Sequence, residues 1–326
     1  MIDLNTPLIK LLPHVEQRTG QRVGIELEYE GFSSARFLDS DLKVNRWYLE
    51  RDPSLRGGGM ELISHVLMPG HLDSAYKEAT AIIRASTAKA NIRCGVHVHL
   101  NMSDVTLTHL WNTIVLYILA EPSIFKQFAD GREGSHFCVP LWSNAMFAQT
   151  LYNDMRHLRV GYAKMKLQKA PKMRRAARAQ PGMFHVLDDD LQRAVEAQAP
   201  IARVHDPVQE LPDLGLFHCI KYSALNFRPL TSLGTIEFRQ HPATTDMKKV
   251  DAWVQFLMGL RDLAGEYKDP LDILDEYEES GLLRLQDTLQ LDQVNVDDLD
   301  QEEAEDVATM AAGHIAAPWT DFEWEL

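Results

Sequence analysis

Sulfur is scarce in this chain. Its 326 residues include three cysteines, Cys94, Cys138 and Cys219, with no CxxC pair among them. That argues against a disulfide framework and a cysteine-rich zinc site, and it suits reduced thiols in a cytoplasmic setting. Long apolar runs are lacking too. The most apolar stretch, around 110–120, falls far short of the roughly 20 residues a membrane span needs. The opening MIDLNTPLIKLLPHVEQ has no basic segment followed by a long apolar one, so no signal peptide is expected. No GxxxxGK[ST] run occurs, which rules out a P-loop, and neither HExxH nor GxSxG is present. The GGG at 57–59 lacks dinucleotide-binding spacing.

Charge is missing in blocks. Residues 155–187 carry nine Lys/Arg and no acid, whereas residues 287–326 carry twelve Asp/Glu and no Lys or Arg. The net charge of −14 comes mostly from that tail and argues against nucleic-acid or anionic-membrane partners. Two readings stand for the basic block, a solvated helical insertion or a lid over an anionic ligand. The tail reads as a solvated appendage. The expected division is therefore a catalytic domain over 1–286, with 155–187 inserted in it, and an acidic tail over 287–326.

What is present is a soluble composition, 45% apolar and 25% charged. Apolar residues recur at three- and four-residue spacing over 71–90, 106–129 and 246–266, and a shorter helix is expected over 271–285. Pro122 is expected to kink or interrupt the second of these. Strands are expected at 22–30, 44–50, 60–67, 94–101, 223–228 and 234–241. Strands and helices do not alternate strictly, which favours an α+β fold on a mostly antiparallel sheet.

Four of these strands have an unusual polar face. Strand side chains alternate with period two. In GIELEYE (24–30), Glu26, Glu28 and Glu30 share a face. In CGVHVHLN (94–101), His97, His99 and Asn101 do so, with Cys94 a buried thiol on the side away from His97. In GTIEFRQH (234–241), the alternation puts Glu237, Arg239 and His241 together, and Glu61 opens ELIS after the glycines. An ordinary half-buried sheet explains any one of these strands. Four faces made of Glu and His are harder to explain that way, because like charges repel unless a cation lies between them. Carboxylates with few imidazoles and no thiol suit Mg²⁺ or Mn²⁺, and Arg239 adds a planar fork for phosphate.

Taken in order, GIELEYE, WYLERDPSLRGGGMELISHVL, CGVHVHLN and ALNFRPLTSLGTIEFRQHPATTD resemble the amidoligases of the carboxylate–amine ligase superfamily, as do the smaller stretches AEPSIFKQF and DGREGSHFCVP. The resemblance covers about residues 22–262, thins across the basic insertion and is absent in the tail. It implies a curved, mostly antiparallel sheet with helices on its outer face, like that of glutamine synthetase and glutamate–cysteine ligase. It also implies an ATP-dependent ligase that makes an amide through an acyl phosphate. The metal ligands would be Glu26, Glu28, Glu61, His97 and Glu237. His99, Arg239 and Glu61 would contact the nucleotide and its metal, Arg239 and Arg228 would hold the transferring phosphoryl group, and Asp52 would lie near the incoming amine. Pro53 stands where the family has glycine, which stiffens the backbone beside Asp52. The implied cofactors are ATP and Mg²⁺ or Mn²⁺, and the implied partners are small-molecule or peptide carboxylates and amines, with oligomerisation open. Two other classes fit the same face: a metal-dependent phosphotransferase or hydrolase, and a non-catalytic binding or assembly protein that keeps the fold.

Overall fold

A sheet strand that is apolar on alternate residues must bury that side, and here the helices cover it. The computed structural model describes residues 5–32 except 13 and 17, 45–141 except 58, 130 and 133, 222–291, and residues 308 and 312. The basic insertion 155–187, Cys219 and most of the acidic tail lie outside the described residues.

Six strands form one open sheet: β1 (Val23–Tyr29), β2 (Trp47–Arg51), β3 (Met60–Ser64), β4 (Gly95–Asn101), β5 (Leu225–Asn226) and β6 (Thr235–Pro242). Their order is β2-β3-β1-β4-β6-β5 and every neighbouring pair is antiparallel. Among the described residues the α-helices are α1 (Leu72–Ala85), α2 (Leu107–Phe128), the single turn α3 (Leu230–Leu233), α4 (Met247–Ala264) and α5 (Pro270–Thr288). The architecture is α+β on an antiparallel sheet, as the sequence pattern implied.

Helix starts follow the sequence. The Thr106 hydroxyl accepts the His109 N–H, Asp246 accepts that of Lys248, and Asp269 accepts those of Leu271 and Asp272 with Pro270 at the first helical position. Pro122 lies within α2 and does not interrupt it. Proline removes one backbone bond and strains the turn before it, at a cost of about 3 kcal/mol. That cost is offset because α2 is buried around almost its whole circumference, from Leu107 to Phe125. In α5 the backbone leaves helical geometry at Gly281, where φ is +72°.

The apolar face of the sheet carries Ile25, Leu27, Tyr29, Leu62, Val96, Val98, Ile236 and Phe238, all buried in one core with α1, α2 and α4. Phe238 meets Tyr117 of α2 and Trp253 of α4 edge-on, and the Trp47 indole donates to the Ala75 carbonyl of α1 at 2.8 Å. The α5 helix packs outside α2, where Gln286 donates to Ser123 at 2.6 Å. The expected boundary at 286/287 falls inside α5, and Leu289, Leu291, Ala308 and Ala312 belong to the same core. No described helix is long and apolar enough to cross a membrane. Cys94 is buried, and burial pushes its thiol up to about 11, which fits an inert structural residue.

Candidate active site

The helices cover the apolar face, and the polar side chains of the strands project to the other one. Residues directly opposite each other in an antiparallel ladder project to the same side. Glu50, Glu61 and Glu28 therefore form one row across β2, β3 and β1. The next row is Tyr48, Ile63, Glu26 and His97. A third runs Gly24, His99, Glu237 and Asn226 across β1, β4, β6 and β5.

His97 is the hub of these rows and is buried. Its Nδ1 lies 3.3 Å from Glu26 and 3.6 Å from Glu237, while its Nε2 lies 3.5 Å from Glu28. Two groups of potential ligand atoms result, Glu26–His97–Glu237 and Glu28–Glu61–His97, each with its atoms within 4.8 Å of one another. The ring needs a gap beneath it, and Gly95 provides one. A Cβ at that position would sit 3.0 Å from His97 Nε2 and 3.4 Å from Glu28 Oε2. The Gly95 N–H also donates to Glu28 at 2.6 Å.

The electrostatics differ from one acid to the next. Burial would raise the pKa of Glu26, yet the hydrogen bonds of His97 and His99 carry it well below the carboxylate range. His99 reaches Glu26 at 3.3 Å through Nε2 and the Thr235 hydroxyl at 3.0 Å through Nδ1. Burial pulls the pKa of His99 down, but Glu26 and Glu237 together push it above its ordinary value. Glu61 is pushed up to about 7, by burial first and then by the charge of Glu26. A carboxylate crowded by like charges in this way is one that a bound cation would relieve. The donor set of carboxylate oxygens and imidazole nitrogen, with no sulfur, fits a hard divalent cation such as Mg²⁺ or Mn²⁺.

Glu237 is gripped from two sides. Arg239 Nη1 donates to its Oε1, and Asn226 Nδ2 donates to its Oε2 at 2.6 Å. Arg239 is buried, and its Nε has no hydrogen-bond partner among the described residues. An orphan donor of this kind beside an acid cluster is suited to an anionic ligand.

His241 does not share this face, contrary to the alternation. Val96 pairs with His241 and Val98 with Phe238, so two residues, Arg239 and Gln240, stand opposite the single His97. This β-bulge reverses the alternation beyond it. Gln240 instead donates to the Tyr117 hydroxyl of α2 at 2.9 Å, and His241 packs on Trp253 of α4. Burial holds the His241 imidazole down, at about 4.

The remaining expected residues lie toward the rim. The Asp52 carboxylate closes a turn by accepting the backbone N–H and hydroxyl of Ser54, each at 2.7 Å, and its charge reaches Glu61. Arg228 follows β5 with an exposed side chain that makes no hydrogen bond or ion pair among the described residues, so no contact joins it to Arg239. Glu30 is taken up by structure, bound to Arg93, Asn91 and the Arg56 N–H. Three residues on the face were missed in the sequence. Tyr48 and Glu50 had a readable signal, because WYLER alternates as GIELEYE does. Asn226 had none, since nothing in ALNF marks an asparagine that pairs with Glu237.

Comparison with protein families matches the model described as "Putative amidoligase enzyme" to residues 37–210 and 215–261, more than half of the chain. The chain belongs to this amidoligase family. The match includes Glu61, His97, His99, Glu237 and Arg239 but begins after β1. Glu26 and Glu28 therefore join the amidoligase residues through the sheet register, not through the match. No curated protein matches the chain. Family membership points to an enzyme of ligase type.

Proposed function

We propose that this amidoligase is an ATP-dependent carbon–nitrogen ligase that uses Mg²⁺ or Mn²⁺ and joins a carboxylate to an amine through an acyl phosphate. One observation carries the reading: two acid groups, Glu26–His97–Glu237 and Glu28–Glu61–His97, share one imidazole on the polar face of the sheet, with Arg239 beside them. The sheet would then be of the glutamine synthetase and glutamate–cysteine ligase type.

A carboxylate is a poor electrophile. In the proposed reaction its oxygen attacks the γ-phosphorus of ATP and the bond to ADP breaks. The amine nitrogen next attacks the acyl carbon, phosphate leaves, and the amine loses a proton. Bound divalent ions would screen the phosphate oxygens. Glu26, Glu28, Glu61, His97 and Glu237 would hold those ions. His99 would lie at the phosphates, its charge favoured by Glu26. Arg239 would stabilise charge on the transferring group with a fixed planar fork. Asp52, at the rim beside Glu61, would face the incoming amine, and Arg228 would need to swing inward to assist Arg239.

Incubation with ATP, Mg²⁺ and pooled amino acids and peptides tests this. The reading expects ADP, phosphate and a new amide mass in equal amounts. Magnesium-dependent loss of ATP with no amide under any amine would instead make the protein a phosphohydrolase or phosphotransferase. No use of ATP at all would leave a binding protein.

A further inference from the structure

We infer that Asn226 is a positioning residue for the metal site, holding Glu237 in its ligand geometry independently of Arg239; this rests on the metal-dependent reading above. The argument starts from the register. Asn226 is the residue directly opposite Glu237 on the β5–β6 ladder, and it is buried at 4% exposure. Its amide orientation is settled by its neighbours. A backbone N–H can only donate, so the Arg228 N–H, 3.1 Å away, fixes Oδ1 on that side. Nδ2 is left facing Glu237, and it donates to Oε2 at 2.6 Å. The two bonds lock a short side chain with few rotamers onto one carboxylate oxygen.

The other oxygen is in demand from two sides. Oε1 accepts from Arg239 Nη1 and lies 3.6 Å from His97 Nδ1, the edge of the Glu26–His97–Glu237 group. A cation in that group and the guanidinium of Arg239 compete for the same oxygen. Were Arg239 to turn toward an anionic ligand, Glu237 would lose a charged partner. Asn226 is the neutral partner that stays. It orients the carboxylate without cancelling its charge, as a hydrogen-bonded neighbour commonly does for a metal-bound carboxylate. Thr235 supports His99 in the same way on the adjacent strand, through the bond from Nδ1 to its hydroxyl.

The test uses the full chain and Mn²⁺ alone, with free Mn²⁺ read by electron paramagnetic resonance. Asn226→Leu keeps the volume and removes the donor; Asn226→Ala removes both. Each is expected to weaken Mn²⁺ binding about tenfold or more. A residue that served folding alone would lower the melting temperature and leave the affinity of the folded protein unchanged. Mn²⁺ affinity within twofold of the parent in both folded variants overturns the inference and leaves the metal reading standing. Absence of Mn²⁺ binding in the parent chain overturns both. Should the variants fail to fold, the parent decides: its ¹⁵N-labelled Asn226 side-chain amide should shift on addition of Mg²⁺, and an unmoved resonance rejects the inference.

Discussion

Glu28 and Glu61 stand directly opposite each other on β1 and β3, with no basic side chain between them in the register. Burial first, then the charge of Glu26, holds Glu61 up to about 7, and Glu28 adds a smaller push. A carboxyl whose folded pKa lies above its unfolded value favours the fold at low pH. That contribution is lost as pH rises from about 4.5 through 7. Without metal, Glu61→Gln should therefore be more stable than the parent at pH 8, and no more stable at pH 4. The gain should be about 1–2 kcal/mol, discounted because Glu61 is only half-buried. Thermal melts in chelator at both pH values check the sign. Mg²⁺ should raise the melting temperature of the parent and do so far less in the variant.

His97→Asn should weaken both acid groups at once, because each uses this imidazole. Calorimetric titration with Mn²⁺ should show affinity falling about 100-fold, against about tenfold for Glu237→Gln, which touches one group only. Equal losses in the two variants would mean that His97 does not bridge them.

Gly95→Ala would place a methyl group 3.0 Å from the His97 ring and 3.4 Å from Glu28. A shift of a few tenths of an ångström is enough to misdirect both side chains, at a packing cost of about 1–3 kcal/mol. The variant should fold, melt lower and bind Mn²⁺ poorly. Normal Mn²⁺ affinity would place the ring elsewhere than described.

Arg239→Lys keeps the charge and loses the planar fork. Turnover of ATP should fall about 100-fold or more while folding persists, measured by ADP release at saturating ATP. Activity near that of the parent would remove Arg239 from the reaction.

His241 gives a pH signature on the opposite face. Its imidazole is buried and held at about 4, so it stays neutral in the fold while the unfolded chain takes up a proton near 6.5. Stability contributed by the neutral ring is present above pH 6.5 and is lost as pH falls toward 4. His241→Gln should flatten that slope by up to one proton in chemical denaturation measured across the window.

Much of this was written in the chain because period-two alternation is a local rule. GIELEYE and VHVHLN place Glu26, Glu28, His97 and His99 with no knowledge of neighbours, and the register then brings them together. His241 was misplaced for the complementary reason. One additional residue in β6 leaves no trace in composition, because the bulge is defined by the partner strand and not by TIEFRQH itself. Pro122 shows a similar limit. Its local penalty was legible, and the burial that outweighs it was not. Asn226 lay beyond sequence reading because its meaning comes from a cross-strand pair.

The irregularity in β6 acts as a phase shift. Before it, the strand delivers Glu237 and Arg239 to the open side; after it, the same strand delivers Gln240 and His241 to the helices. Losing one residue there would do more than shorten the strand. It would either pull Arg239 out of the cluster or turn the distal half inside out, setting an imidazole and an amide in solvent and a proline-bound end in the core. In any relative of this chain, the residue count between the glutamate of β6 and its closing proline thus reveals whether the arginine can reach the site.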